Sequence, residues 1–380
     1  QAGYNNTSGN FNVAIGHRVF MQNTAGSSNV AMGIGALGAS TTGSDNVAIG
    51  AIALDATTSG SRNTGVGRYA LGNNTTADEN TAVGYNSLKE NTTGTNNVAV
   101  GANALDANTT ASDCTAVGTD SLTSNTTGNS NSAMGFDSMK TNTTGDNNTA
   151  VGRAALFANT SGNQNTAIGR SALQSNTTSV SNTCVGFEAG MNITTGGRND
   201  CFGRATMNSL TTGVDNCGFG KGSLNNLTTG NGNVALGDIS QVVTRLFNVT
   251  TESDRLILGH HNITNAYVKV ALTVTSDERD KIDFSSVPHG LDFVNKLEPK
   301  SFWFRRERGS DQKDGCQHYG FVAQDILALE GDNPVIIDNE QEEHLKYKGE
   351  HLLPVLVNAI KELSAKNTAL ETRVATLEAA

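Results

Sequence analysis

A glycine that returns at every seventeenth position constrains this chain more than any other feature. It occurs fourteen times between residues 16 and 237 without an insertion or deletion. A strict period of this length is typical of solenoids, in which each repeat covers its neighbour, so residues 1–240 are predicted to form a stacked β-rod. The column consists of Gly16, Gly33, Gly50, Gly67, Gly84, Gly101, Gly118, Gly135, Gly152, Gly169, Gly186, Gly203, Gly220 and Gly237.

Other columns of the repeat indicate how each rung is built. Four positions before the glycine stands Asn in thirteen of fourteen repeats, with Cys114 as the exception, which predicts an amide ladder from rung to rung. Large apolar residues stand one position before the glycine, as in Ile15, and four positions after it, as in Leu37. We therefore expect a core of two narrow apolar stripes. Each repeat is interpreted as a strand of about five residues, a tight turn at the glycine, a second short segment and a polar loop.

A core this thin favours three chains that share one axis. The sequence N-V-A-[IV]-G, at residues 46–50 and 97–101, resembles the N-[ST]-V-A-[IV]-G signature in the head repeats of trimeric autotransporter adhesins. That resemblance implies a left-handed parallel β-roll packed as a trimer, although the repeats of those heads are shorter than the repeats found here.

Threonine and cysteine columns leave alternatives open. A Thr occupies the eighth position after the glycine from Thr24 to Thr228, which fits either an internal hydrogen-bonded ladder or an ice-binding face. Cys184 and Cys201 share one column in adjacent rungs, so they form either a disulfide or two free buried thiols in a column of small residues. The odd total of five cysteines argues against a metal site.

Composition separates two regions and limits the partners. Charged residues number 24 in residues 1–240 and 38 in residues 241–380, and the net charge of the whole chain is −10. Because the chain is mildly acidic overall, neither nucleic acid nor an anionic membrane is expected as a partner. No apolar run approaches the roughly 20 residues of a membrane span. The chain begins with Gln1 rather than Met, so we expect a fragment or processed product.

Residues 241–275 are interpreted as a β-rich neck. Strands are predicted at 242–247, 255–259 and 266–274. His260–His261 is either a polar loop or a metal site on a trimer axis; no metal and no cofactor is predicted.

A charged junction follows the neck and carries the most specific motif. The junction contains the motif Ser276-Asp277-x-Arg279-x-Lys281, and three further motifs follow it. In order and spacing, these four motifs resemble the self-cleaving intramolecular chaperone domain of phage tail fibres and tailspikes, including endosialidase tailspikes. The later motifs are Val294-x-x-Leu297-x-Pro299-x-x-Phe302, then Tyr319-Gly320-Phe321-Val322-Ala323-Gln324-Asp325, then Tyr347 through Leu356-Val357-x-Ala359-Ile360-x-Glu362-Leu363.

The resemblance implies a specific chemistry for residues 276–350. Such a domain drives trimerisation of the fibre before it and then cuts the peptide bond that precedes the motif serine. Carried over, Ser276 is the nucleophile, Lys281 its base and Thr275–Ser276 the scissile bond, while Asp277 and Arg279 have positioning roles.

Residues 351–380 show a heptad seam. A lone core Asn at 367 is expected to fix the register of a parallel bundle. The alternative is an amphipathic helix that packs on its own domain. The seam begins at Leu356 and continues through Ile360, Leu363, Asn367, Leu370, Val374 and Leu377.

The sequence thus predicts a mainly β protein: a trimeric β-roll or β-solenoid rod, followed by a small α+β chaperone domain that ends in a parallel coiled coil. The favoured function is a phage tail fibre, folded in the bacterial cytoplasm and carried on the virion, whose C-terminal domain releases itself by serine autoproteolysis. Expected partners are two further copies, a host receptor with a glycan as one candidate, and other tail proteins at the N-terminus. Alternatives are a bacterial surface adhesin or filament with the same maturation domain, an ice-binding solenoid, and a glycan-degrading tailspike. The last is disfavoured because no carboxylate pair recurs in the repeats.

Overall fold

The computed structural model describes residues 3, 5–237, 249–259, 276–305, 309, 311–340, 342 and 345–379. Two compact units divide the chain, residues 1–261 and residues 262–380. The strands predicted at 242–247 and 266–274, the pair His260–His261 and Thr275 lie outside the described residues.

The first unit is a β-solenoid of parallel rungs. Each strand pairs with the next in the chain at a fixed offset, so that Val13 lies opposite Val30 and Thr115 opposite Ser132. This confirms the mainly β rod of seventeen-residue repeats, but the strands have three residues rather than about five. The strands are β1 (Val13–Ile15), β2 (Val30–Met32), β3 (Val47–Ile49), β4 (Thr64–Val66), β5 (Thr81–Val83), β6 (Val98–Val100), β7 (Thr115–Val117), β8 (Ser132–Met134), β9 (Thr149–Val151), β10 (Thr166–Ile168), β11 (Thr183–Val185), β12 (Asp200–Phe202), β13 (Cys217–Phe219), β14 (Val234–Leu236) and β15 (Leu256–Leu258).

The repeated glycine ends each strand. Gly118 has a φ of +131°, and a β carbon at this position would lie 2.5 Å from the carbonyl oxygen of Gly135 in the next rung. A side chain is therefore excluded twice, by the backbone conformation and by the neighbouring backbone. This explains why no other residue enters the column.

The core of each rung is one small and one large side chain. Ala116, at the middle of β7, and Leu122, four residues after the glycine, are both 0% exposed. The column before the glycine, predicted to be buried, faces outward instead: Ile15 is 54% and Met134 47% exposed. Successive strand residues alternate between faces, so when the small central residue points inward its large neighbour must point out.

An amide ladder runs through the rod as predicted. The backbone N–H of Asn148 donates to Oδ1 of Asn131 at 3.0 Å, and the Asn148 amide group donates to the carbonyl of Gly162 at 2.8 Å. The pattern breaks at Cys114, where the backbone N–H of Asn131 faces a thiol sulfur, a much weaker acceptor.

A second amide ladder was not predicted. The Asn142 amide donates to Oδ1 of Asn125 at 2.8 Å, and Asn159 donates to Asn142 at 2.7 Å. These residues belong to the N-T-T-G segment, seven positions after the glycine, and they are fully buried. Three later rungs fill the same column with the buried apolar residues Ile193, Leu210 and Leu227.

The structure shows the state of the Thr column and of the paired Cys positions within the rod. The hydroxyl of Thr143 donates to the carbonyl of Thr160 at 2.9 Å, so the Thr column forms the predicted hydrogen-bonded ladder. Cys184 and Cys201 are free and buried, which confirms the alternative of two unpaired thiols.

The sheet continues beyond the last regular repeat. In β15 Leu258 lies opposite Leu236 of β14, and the offset between paired positions is here 22 rather than 17. The strand predicted at 255–259 is thus confirmed, and it forms one more rung of the same sheet.

The second unit is a small α+β domain. Its buried core contains Phe293, Ile326, Ile336, Ile337, Leu352 and Val355. The C-terminal helix expected from the heptad seam is present. Its elements are α1 (Leu291–Val294), β16 (Lys300–Arg305) paired antiparallel with β17 (Lys313–Gly320), α2 (Ala323–Glu330), β18 (Ile337–Asp338) paired antiparallel with β19 (Lys346–Tyr347), and α3 (Leu352–Glu378).

Candidate active site

A single 3₁₀ turn, Glu278–Asp280, sets the geometry of the charged junction. Asp277 caps this turn, because its Oδ1 accepts the backbone N–H of Arg279 at 2.9 Å. The backbone N–H of Lys281 closes the turn on the carbonyl of Glu278 at 3.1 Å. The chain therefore folds back between residues 276 and 281, which brings together two side chains that are five positions apart.

Lys281 reaches Ser276 directly. Its Nζ lies 2.6 Å from the Ser276 Oγ and 3.2 Å from the Ser276 carbonyl oxygen. The distance to the hydroxyl is within the reach required of a general base and its nucleophile. Thr275, on the other side of the predicted scissile bond, lies outside the described residues.

Asp277 and Arg279 form an ion pair beside this contact. Arg279 donates through Nε to Oδ1 at 3.0 Å and through Nη2 to Oδ2 at 2.6 Å. This bidentate pair, with the backbone N–H of Arg279, lowers the pKa of Asp277, and the carboxylate raises the pKa of Arg279. Because both groups hold the turn and neither contacts Ser276 in the bonds described, their geometry suits the positioning role predicted for them.

The candidate site is open to solvent in one chain. Ser276, Asp277, Arg279 and Lys281 are all exposed. The residues that follow are apolar and exposed as well, with Ile282 at 84% and Phe284 at 70%. A single copy thus brings the Ser276 and Lys281 side chains together but does not exclude water from them.

Helix α3 holds the segment that follows. The Asn358 amide donates to the carbonyl of His289 at 2.9 Å, and the Glu362 carboxylate accepts the backbone N–H of Leu291 at 2.8 Å. A β carbon on Gly290 would collide with the Glu362 carboxylate at 2.0 Å. These contacts join residues about 70 positions apart and could not be recognised from local motifs.

Glu330, at the end of α2, also binds backbone groups of another segment of the domain. Its carboxylate accepts the backbone N–H groups of Val335, Ile336 and Ile337 at 2.7, 2.6 and 2.9 Å. The carboxylate thus satisfies three donors beside the buried Ile336 and Ile337.

The heptad seam lies on the exposed surface of α3. Asn367, the core polar residue of the seam, donates to the Glu371 carboxylate of its own helix at 3.1 Å. The apolar residues of the seam are 36–70% exposed: Leu356, Ile360, Leu363, Leu370, Val374 and Leu377. The same helix turns Leu352, Val355 and Ala359 into its own domain, so it has one buried face near its start and a second, uncovered face.

Comparison with protein families identifies the C-terminal region. Residues 276–333 match the family described as chaperone of endosialidase, a peptidase family, and the match begins at Ser276. The chain carries an endosialidase-chaperone domain. A β-solenoid followed by this domain makes the chain tail-fibre-like. No curated protein and no solved structure matches the chain.

The described part of the chain offers neither a membrane-spanning helix nor a cluster of metal ligands. None of its helices is both long and apolar enough to span a membrane. Among the same residues, no group of three or more His, Cys, Asp or Glu side chains is placed to hold a metal ion.

Proposed function

We propose that this protein is a trimeric tail fibre whose endosialidase-chaperone domain aligns three chains and then releases itself by cleaving Thr275–Ser276. The observation that carries the proposal is the 2.6 Å contact between Lys281 Nζ and Ser276 Oγ at the first residue of the family match. Host attachment is the proposed role of the rod, with other tail proteins bound at its N-terminal end on the virion.

The proposed reaction uses one nucleophile and one base. Ser276 Oγ attacks the carbonyl carbon of Thr275, while the Lys281 amine accepts the hydroxyl proton and passes it to the departing backbone nitrogen of Ser276. This leaves an ester between Thr275 and the Ser276 oxygen. Water then hydrolyses the ester, which gives a carboxylate on Thr275 and restores the hydroxyl of a new N-terminal Ser276.

In the proposed trimer, neighbouring copies exclude water from the site that a single chain leaves exposed. A lysine acts as a base only as the neutral amine, and removal of water favours that form over the ammonium ion. Ser276 and Lys281 are exposed in one chain, and Ile282 and Phe284 beside them offer apolar surface for neighbouring copies. Packing of three chains around this segment therefore activates the pair, so that cleavage follows correct assembly.

The seam on α3 sets the register of the rods. Every rung resembles the next, so three rods could associate with a slip of one whole repeat. A coiled coil with a single core Asn367 aligns the C-termini before the rods pack, because an Asn at this position favours one register. The outward apolar column of the rod then provides a surface for packing, and loss of the chaperone removes the easy route back to unfolded chains.

Intact mass of the purified chain tests the cleavage. The wild type is expected to give fragments of 275 and 105 residues, which sum to the 380 of the chain. Ser276→Ala and Lys281→Met should each slow cleavage by at least about 10³-fold. Ser285→Ala and Lys296→Met, which change the same residue types nearby, should cleave as the wild type does; an intact wild-type chain would contradict the proposal.

A second experiment tests the link between assembly and cleavage. Leu363→Asp with Leu370→Asp places charges on the seam and should give a protein that is monomeric by native mass and uncleaved. Thr368→Asp with Thr372→Asp adds the same charge to the same helix outside the seam and should leave trimer and cleavage unchanged. Rapid cleavage of the monomeric variant would show that the pair needs no assembly.

A further inference from the structure

The few basic residues of the rod are concentrated in one column. Residues 1–240 contain ten Lys and Arg residues, and five of them stand directly after the repeated glycine. These are Arg68, Arg153, Arg170, Arg204 and Lys221. An even distribution would place fewer than one basic residue in each column, so composition alone does not account for this concentration.

Two phenylalanines stand in the same column beside four of these cations. In the six consecutive rungs from β8 to β13, the position after the glycine is occupied in turn by Phe136, Arg153, Arg170, Phe187, Arg204 and Lys221. We call these six residues the cationic row. The in-register parallel pairing of β8–β13 stacks these positions along the rod.

The guanidinium groups of the row contact rings. The Cζ of Arg153 lies 5.8 Å from the ring centroid of Phe136, and those of Arg170 and Arg204 lie 5.4 and 5.8 Å from the ring centroid of Phe187. Cation–π contacts of this kind hold each guanidinium beside a flat apolar face. All three arginines are exposed, and Phe136 is 47% exposed.

The three arginines of the row are not neutralised by carboxylates of the described residues. Within that part of the chain, no ion pair joins Arg153, Arg170 or Arg204 to an acidic side chain. By contrast, Arg62 elsewhere on the rod pairs with Glu79 at 2.8 Å. Since rungs are about 4.8 Å apart, Arg153 and Arg170 in adjacent rungs repel each other, and an anionic ligand that bridges them removes this repulsion.

We propose that the cationic row binds a linear polysaccharide that carries carboxylate groups. The arginine fork donates two parallel hydrogen bonds to a carboxylate, and the rings beside it offer flat apolar surface to the sugar. Five intervals of about 4.8 Å make the row about 24 Å long, so it suits a chain of several sugars rather than a single one. This inference rests on the proposed attachment role of the rod and names the chemical class of its receptor.

The charge of the protein favours polysaccharide over nucleic acid. The row is a single residue wide, whereas the whole chain carries a net charge of −10. Nucleic-acid binding draws most of its affinity from many phosphate contacts on a broad basic surface. A single line of spaced cations is instead complementary to a polymer that carries a single line of spaced anionic groups.

Binding to immobilised polysaccharides tests the inference with the full chain as expressed. The carboxylated probes are alginate and hyaluronan, and the neutral probe is dextran. At least one carboxylated probe should bind, with an affinity that falls as salt is added, while dextran should not. Combining Arg153→Gln, Arg170→Gln and Arg204→Gln should weaken that binding by at least about tenfold.

A matched variant controls for total charge. Arg18→Gln, Arg62→Gln and Arg198→Gln also remove three arginines from the rod but leave the cationic row intact. This variant should bind as the wild type does, and both variants should melt at the wild-type temperature. Equal weakening by both variants, or tighter binding to single-stranded DNA than to either carboxylated probe, would overturn the inference.

Mass measurements on the same samples separate this inference from the proposed function. A protein that is trimeric and cleaved but binds neither carboxylated probe overturns the ligand and leaves the fibre proposal standing. A protein that binds through the row but is neither trimeric nor cleaved supports the ligand and contradicts the fibre proposal.

Discussion

The two units hold leucine columns of opposite exposure. In the rod, Leu105 and Leu122 are 0% exposed, enclosed by the rungs of a single chain. On α3, Leu363 and Leu370 are 55% and 60% exposed. The first column stabilises one chain as soon as its rungs stack, while the second can contribute only when another surface covers it. The comparison shows that the core of the rod is complete within one chain. In the proposed function, the rod therefore needs the chaperone domain for alignment rather than for a core.

The largest effect is expected from the glycine column. In Gly118→Val the new β carbon would meet the carbonyl of Gly135 at 2.5 Å, in a backbone conformation that branched residues avoid. We expect the free energy of unfolding of the rod to fall by more than about 4 kcal/mol, measured by chemical denaturation. Thr119→Val, one residue later and exposed, is the control; equal stability of both variants would refute the steric argument.

The opposed leucines allow the comparison itself to be tested. Leu122→Ala should lower the free energy of unfolding by about 2–5 kcal/mol at any protein concentration, because its core belongs to one chain. Leu370→Ala should lower the melting temperature by an amount that depends on protein concentration, because the substitution weakens the association between chains. Melting curves at several concentrations distinguish the two, and a concentration-independent loss for Leu370→Ala would place its packing within one chain.

Interruption of the second amide ladder should have a smaller effect. In Asn142→Leu the amide of Asn159 loses its 2.7 Å acceptor and Oδ1 of Asn125 its 2.8 Å donor. Unsatisfied buried polar groups cost about 1–3 kcal/mol, so the unfolding free energy should fall by that amount. The control is Leu210→Met, which replaces an apolar member of the same column by a residue of similar volume and should cost less than about 1.5 kcal/mol. An equal loss in both variants would mean that the amide bonds do not set the cost.

Repair of the first ladder should give the smallest effect, and a gain. Cys114→Asn would offer an amide oxygen to the backbone N–H of Asn131 in place of sulfur, and we expect about 1 kcal/mol of added stability. A lower melting temperature would show that the site is shaped for the thiol.

The same residue gives the wild type a pH dependence. Burial raises the pKa of Cys114 from 9.0 to about 11, so the unfolded chain releases this proton first and stability falls as pH rises from 9.0 to about 11. Subtracting the stability profile of Cys114→Asn from that of the wild type isolates this slope, and a flat difference would contradict it.

Much of the rod could be predicted because its rules repeat. Fourteen identical glycines reveal the period, and an Asn in nearly every repeat reveals one ladder. The prediction for the column before the glycine was wrong because large residues such as Met134 suggested a core position. The signal was the small residue before it, Ala133, which is 0% exposed and so occupies the interior position of the strand. The second ladder was missed because Asn in N-T-T-G also suits a turn; its replacement by Ile193 marked it as interior.

The site shows a different limit. The contact of Ser276 with Lys281 spans five positions and could be predicted from the motif, as could the pairing of Asp277 with Arg279. The anchoring by Asn358 and Glu362 could not, because it depends on where α3 packs. Contacts between side chains can be predicted from the sequence when only a few residues separate them. Contacts between residues that are distant in the chain can be identified only once the fold is known.

The uniform offset between rungs makes the rod modular. Thr115 lies opposite Ser132 just as Val13 lies opposite Val30. After removal of one whole repeat from the regular region, residues of equivalent columns would therefore still lie opposite each other. Recombination between repeats can therefore shorten or lengthen the rod by whole rungs of about 4.8 Å while both ends stay intact. The length of the rod therefore changes in steps of one repeat, and it can change without altering the structure of either end.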